Sequence, residues 1–233
     1  MTGSTRTALI VGSTGLVGSH LLGQLLDEAA YDRVIAIGRR AVGAEPRPRL
    51  VEKLVDFERL SETAGDWEAQ DLFLCLGTTM AVAGSREAFR RVDHDYTLET
   101  ARLARERGAR RFGLVSSIGA AAGARSFYLR VKGETERDLE TLGYESMHIF
   151  RPSLLLGERA ERRRGEAAGG ATARAMSWAM VGALRKYRPI PAERVAAAML
   201  AAVLSGEPGR HLYTHGQILA LAAKPEPKGA REP

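Results

Sequence analysis

The chain has one cysteine among its 233 residues, few aromatic residues (6%), and no apolar run as long as a membrane span. A single thiol permits no disulfide within the chain, so a hydrophobic core must hold the fold. A chain of this length can build one sizeable core. Cys75 stands in the apolar run 72–76 and reads as a core residue of a reducing compartment, so a soluble, cytoplasmic protein is expected. Residues 1–6 are short and polar and read as a tail with no signal peptide. No segment approaches the roughly 20 apolar residues that a bilayer needs, which argues against membrane insertion. His20, His94, His148, His211 and His215 show no ligand spacing with acids or cysteines, so no metal is expected. The formal charge is +6, yet bases are interleaved with acids, as from Glu158 to Glu166, and no aromatics punctuate them. That pattern suits a solvated face and gives no sign of a nucleic-acid surface.

What is present is an alternation. Short apolar runs at 8–11, 34–37, 54–55, 72–76, 112–115 and 147–150 read as buried strands, and helical periodicity separates them. Leu16, Val17, Leu21, Leu22, Leu25 and Leu26 recur at helical spacing, as do Phe89, Val92, Tyr96, Ala101 and Leu103. Strand and helix in turn predict an α/β fold, a Rossmann-type doubly wound parallel sheet. A single domain is expected over 7–223, with a small C-terminal cap drawn mainly from 153–223. That region holds an Ala- and Gly-rich stretch at 165–184, and a helix at 192–204 introduced by Pro189-Ile190-Pro191. The tail 224–233, rich in Pro, Lys and Gly, is expected to be disordered.

The turn Gly12-Ser13-Thr14-Gly15-Leu16-Val17-Gly18 follows the first strand and opens the first helix. Glycine permits a tight turn and close approach of backbone to a pyrophosphate, while the amides and positive dipole end of the helix face the anion. Strand before and helix after give the motif its weight. The spacing is Gly-x-x-Gly-x-x-Gly, distinct from the Gly-x-Gly-x-x-Gly of ordinary dehydrogenases.

The second strand ends Ile37-Gly38-Arg39-Arg40, with no acid where a carboxylate would bind the ribose diol of NAD. NADP is therefore favoured over NAD: Arg39 can fork onto a 2′-phosphate while Arg40 lies over the adenine. Asp56, beyond the third strand, is placed to accept from the adenine amino group.

Tyr128 and Lys132 lie four apart in a helical stretch and share a face, so phenol and ammonium can point into one site. A neighbouring cation stabilises a phenolate, which suits Tyr128 to proton transfer. Lys132 can also bond the nicotinamide ribose and orient it. Ser116 and Ser117 end the fifth strand at the carboxyl edge of the sheet, and Ser117 is placed to hold a substrate carbonyl oxygen.

With these elements in this order the chain resembles the short-chain dehydrogenase/reductase superfamily, in its atypical or extended branch. Within that branch it is similar to the Tat-interacting-protein-like NADP-binding subfamily. The likeness is carried by Leu74-Cys75-Leu76-Gly77-Thr78-Thr79, Arg91-Val92-Asp93-His94-Asp95-Tyr96, Ser116-Ser117, Tyr128-Leu129-Arg130-Val131-Lys132-Gly133-Glu134 and Phe150-Arg151-Pro152-Ser153. The resemblance implies that Gly12, Thr14, Gly15, Leu16 and Val17 line a pyrophosphate and that Leu76, Gly77, Thr78 and Thr79 pass the adenosine side. It makes Ser117, Tyr128 and Lys132 a catalytic triad. Arg151, Pro152, Ser153 and Leu154 border the nicotinamide pocket. Extended relatives often carry asparagine where this chain has Asp93. The stretch beyond Pro152 is short for enclosing a nucleotide sugar, which ranks an epimerase or dehydratase below a reductase. The expected activity is hydride transfer between NADP(H) and a small carbonyl substrate. The alternative is a non-catalytic NADP(H)-binding regulator that responds to redox state. Helices flanking the sheet allow a homodimer.

Overall fold

The structure, a computed structural model, describes residues 6–43, 47–156 and 187–223. The expectations for residues 1–5, the acid and base run at 158–166, the stretch 165–184 and the tail 224–233 lie outside the described residues. Seven parallel strands form the main sheet: β1 (Arg6–Val11), β2 (Tyr31–Gly38), β3 (Leu50–Leu54), β4 (Asp71–Leu74), β5 (Arg111–Val115), β6 (Ser146–Phe150) and β9 (Gly209–Tyr213). Their order is β3-β2-β1-β4-β5-β6-β9. Between β6 and β9, β7 (Leu155–Leu156) pairs with β8 (Ile190–Pro191). The helices are α1 (Leu16–Asp27), α2 (Leu60–Thr63), α3 (Met80–Ala83), α4 (Arg86–Arg90), α5 (Tyr96–Glu106), α6 (Phe127–Glu140), α7 (Ala192–Ser205) and α8 (His215–Ala222).

The central strands are apolar on both faces because helices cover both. Residues Ala8, Leu9, Ile10 and Val11 are all fully buried, as parallel strands between two helical layers require. Ile10, Phe73 and Phe150 pack with Leu21 of α1 and Met199 of α7 on one side. Leu9, Leu72, Phe112 and Ile149 pack with Ala101 of α5 and Leu139 of α6 on the other. The doubly wound sheet follows from this two-sided burial.

The carboxyl-terminal part differs from the expected cap. Helix α7 carries eight buried residues, packs against α1 and the sheet, and leads into β9, which extends the sheet beside β6. Described residues 192–223 thus form the last crossover of the sandwich and not a lid over it. The reason is the apolar face of α7, whose Val195, Met199 and Val203 can be buried only against the sheet. Two strands also differ from expectation. β3 ends at Leu54, where the apolar run had begun, and β9 had no apolar run at all. Both are edge strands, half exposed, so their sequences need not be apolar on both faces.

Successive strands run outward from β1 to β2 and β3, then outward on the other side from β4 to β9. This reversal between β1 and β4 opens a crevice at their carboxyl ends, the place where folds of this kind bind ligands.

Candidate functional site

The cradle is built by close contact. A β-carbon at Gly12, whose φ is +82°, would lie 2.5 Å from the carbonyl oxygen of Cys75. One at Gly15 would lie 3.2 Å from the oxygen of Gly12, and one at Gly18 2.1 Å from the same oxygen. The Gly15 amide donates to that oxygen at 2.9 Å, closing the turn. Gly15 is the N-cap of α1 and brings no side chain to its first amides, leaving donors that an anion can take. Ser13 and Val17 are buried, Leu16 is half-buried, and Thr14 and Gly15 are exposed. Side chains at these positions would collide with the neighbouring backbone, so the turn requires glycine, and the uncapped first amides of α1 suit a diphosphate.

Arg39 and Arg40 follow β2 and are exposed. Gly38 is the last residue of β2, beside the Gly12 turn that ends β1. Arg39 and Arg40 therefore leave the sheet at the cradle's flank. Asp56 has a local partner: its Oδ1 accepts from the Glu58 amide at 3.0 Å and caps a single 3₁₀ turn at Phe57–Arg59.

Beyond β4 the chain passes the cradle again, the Cys75 amide donating to the Val11 oxygen at 3.0 Å. Leu76 packs into the core beneath. Thr79 Oγ1 accepts from the Val82 amide at 3.2 Å and caps α3. The Thr78 amide donates to Asp93 Oδ2 at 2.8 Å.

Asp93 reaches that amide because α4 and α5 are joined by a π turn, Arg91–Asp95. The wider turn rotates the helix face, and Asp93 and His94 become buried. A π turn inside a helix often marks a functional position. Asp93 Oδ1 lies 2.7 Å from Lys132 Nζ, and the Asp93 carbonyl accepts from the Thr135 hydroxyl at 3.2 Å. Burial alone would push the Lys132 ammonium's pKa down, but Asp93, aided by Tyr128 and Glu136, outweighs it and the net displacement is upward. Lys132 therefore stays charged although buried. His94 is clamped in turn between Asp95, at 2.7 Å from Nδ1, and Asp138 of α6, at 2.8 Å from Nε2.

Helix α6 presents Tyr128 in its first turn and Lys132 in its second. The Tyr128 ring packs on Phe89 of α4, centroids 5.4 Å apart. The loop from β5 lies flush on this helix: a β-carbon at Gly133 would stand 2.1 Å from the carbonyl carbon of Ala121. The Ala121 amide donates to the Leu129 oxygen at 3.2 Å. Ser117, half-buried at the start of that loop, directs its hydroxyl at the Ile118 oxygen, 3.4 Å away.

Ser116 and Arg151 have a partner that the sequence did not disclose. The Ser116 hydroxyl donates to Glu136, and Arg151 forks onto the same carboxylate, Nε to Oε1 at 2.9 Å and Nη2 to Oε2 at 2.5 Å. Arg210 of β9 adds a longer contact at 3.6 Å. These two side chains brace the carboxyl ends of β5 and β6 against α6. Pro152 is buried and its oxygen accepts from the Ile118 amide at 2.9 Å. Ser153 donates to the Arg188 oxygen, and Leu154 is exposed.

Glu136 and the pairing of Asp93 with Lys132 were missed by sequence reasoning. Glu136 follows Lys132 by one helical turn, a spacing that could have placed it on the site's face. No group of three or more metal-ligating side chains is found among the described residues, and no described helix is long and apolar enough to cross a membrane.

Residues 8–219 match the NAD dependent epimerase/dehydratase family. Protein HTATIP2 of Rattus norvegicus is 40% identical over 164 residues, covering 69% of this chain and 67% of that protein. Protein fmp52, mitochondrial, of Aspergillus fumigatus is 40% identical over 171 residues, covering 68% and 70%. Among solved structures, a UDP-glucose 4-epimerase from Thermotoga maritima, determined with UDP-glucose, superposes with a TM-score of 0.66 at 18% identity, over 93% of this chain and 81% of that one. The expected cytoplasmic location is corrected by these names. A relative sharing two-fifths of its aligned residues is called mitochondrial, and a single thiol cannot tell one reducing compartment from another.

Proposed function

Since the chain belongs to the NAD dependent epimerase/dehydratase family, we propose that it is an NADP(H)-dependent oxidoreductase acting on the carbonyl of a small, hydrophobic substrate. The observation that carries this reading is the buried Lys132 ammonium. It stands one turn above Tyr128 and 3.7 Å from where a β-carbon at Gly77 would lie, on the loop that also passes the glycine cradle. Cradle and ammonium thus border one crevice at the carboxyl ends of β1, β4 and β5.

The residues present fit a dinucleotide. Gly12, Gly15 and Gly18 let the turn close tightly against its own backbone, and the first amides of α1, uncapped by any side chain, would take the diphosphate. Arg39 takes the 2′-phosphate, where an acid would repel it. When bound, the nicotinamide supplies or accepts the hydride. Lys132 bonds the neighbouring ribose hydroxyls and fixes their orientation. Ser117 donates a hydrogen bond to the carbonyl oxygen. Tyr128 gives its hydroxyl proton to that oxygen as it becomes an alcohol. The aromatic packing of Tyr128 on Phe89 holds its ring in place.

The test is consumption of NADPH by purified protein with a panel of aldehydes and ketones. Turnover is expected for some apolar member, and Tyr128→Phe is expected to lower it by about 100-fold or more, the usual worth of a positioned acid. Turnover that survives this substitution unchanged would remove the reading.

A further inference from the structure

Asp93 and Lys132 are buried as a pair, their side chains 0% and 9% exposed and 2.7 Å apart. The carboxylate is fixed from two directions, the Thr78 amide bonding Oδ2 and the ammonium meeting Oδ1, while the Thr135 hydroxyl holds the Asp93 main-chain carbonyl. Toward the crevice the pair is bordered by Gly77, where a β-carbon would lie 3.4 Å from Oδ1 and 3.7 Å from Nζ. The pair is therefore rigid, close to neutral as a unit, and next to the loop that flanks the cofactor cradle.

An oxidised nicotinamide ring is a cation and a reduced one is neutral. A bare ammonium beside the ring would repel the oxidised form, whereas a neutralised one does so far less. We propose that Asp93 is a positioning residue that cancels the charge of Lys132 and thereby sets which redox state of the nicotinamide the site prefers. This rests on the proposed function, which places the ring beside Lys132. The same carboxylate ties the loop at Thr78 to α6, so ring environment and nucleotide loop are held as one piece.

The experiment measures dissociation constants for NADP⁺ and NADPH, by calorimetry and by NADPH fluorescence, just below neutral pH so that the ammonium keeps its proton. The native protein is compared with Asp93→Asn and Lys132→Met. Asparagine keeps an acceptor for the Thr78 amide. Asp93→Asn is expected to raise the ratio of the NADP⁺ constant to the NADPH constant about tenfold, as an uncompensated charge at short range would. Lys132→Met, which leaves the carboxylate alone, is expected to lower it. Adenosine 2′,5′-bisphosphate, which lacks the nicotinamide half, should bind all three proteins alike. An unchanged ratio in a folded variant, or the same direction in both, overturns the inference. Should Asp93→Asn not fold, the direction seen with Lys132→Met decides. Native protein that binds neither nicotinamide nucleotide would refute the proposed function itself, whereas tight binding with an insensitive ratio would refute this inference alone.

Discussion

A β-carbon at Gly18 would stand 2.1 Å from the carbonyl oxygen of Gly12, so helix α1 is seated directly against the turn that precedes it. Gly23, in the same helix, has nothing within 4 Å of where its β-carbon would be. The two glycines should respond to alanine with opposite signs. Gly18→Ala forces the turn apart and is expected to cost about 1–3 kcal/mol, with loss of nucleotide binding. Gly23→Ala should stabilise by about 0.5–1 kcal/mol, since alanine is the better helix former. Urea unfolding of both variants decides.

Arg39 leaves the sheet at the flank of the cradle, with no acid beside it in sequence. Arg39→Ala should weaken NADP⁺ binding by about tenfold, in line with a lost charge-assisted bond, and leave NAD⁺ binding nearly unchanged. Equal weakening of both nucleotides in calorimetry would mean that this side chain does not read the 2′-phosphate.

Glu136 is 2% exposed and receives both Arg151 nitrogens and the Ser116 hydroxyl. Glu136→Gln strands a largely buried guanidinium and is expected to cost about 2–4 kcal/mol. Replacing Glu136 and Arg151 together by methionine should recover part of that loss, because the uncompensated charge goes too. Denaturation midpoints of the single and double variants supply the comparison.

His148 is fully buried on β6, between Ser146 Oγ and the Tyr213 hydroxyl, each 2.9 Å from a ring nitrogen. Burial, with His211 and Arg111 adding, pushes its pKa down from 6.5 to about 4. The unfolded chain therefore takes up a proton at a pH where the folded chain does not. Stability is fully present above pH 6.5 and declines as pH falls toward about 4, by up to about 3 kcal/mol over that window. Urea unfolding across this range should show the slope, and His148→Gln should flatten it.

Burial pushes the Cys75 thiol up to about 12, so it stays protonated at neutral pH. Thiol reagents should label the native protein slowly and the unfolded protein at the rate of a free thiol. Rapid labelling under native conditions would show that the end of β4 opens readily.

The central strands were legible because a strand covered by helices on both faces must be apolar throughout. Ala8 to Val11 and Leu72 to Leu74 could be read without any partner in view. Edge strands lack that constraint, which is why β3 was displaced and β9 overlooked. The glycine turn and the Tyr128 and Lys132 pair were legible through local spacing alone, since a turn and one helix face are short-range objects. Asp93 stood in a recognised motif, but its inward direction depends on a π turn that shifts the helical phase, and regular periodicity does not report that shift. The helix at 192–204 was foreseen as a helix and misplaced as a cap, because an apolar face says that something must cover it and not what does.

Taken by itself, the order of residues determined the alternation of strand and helix, the glycine cradle, and the spacing that puts a phenol and an ammonium on one helix face. All of these are set by steric limits and periodicities that act over a few residues. Tertiary structure alone decided that Lys132 meets Asp93, that Arg151 and Ser116 meet Glu136, and that α7 closes the sheet. Those choices join residues far apart in the chain, and only the packing of a common core brings them within reach of one another.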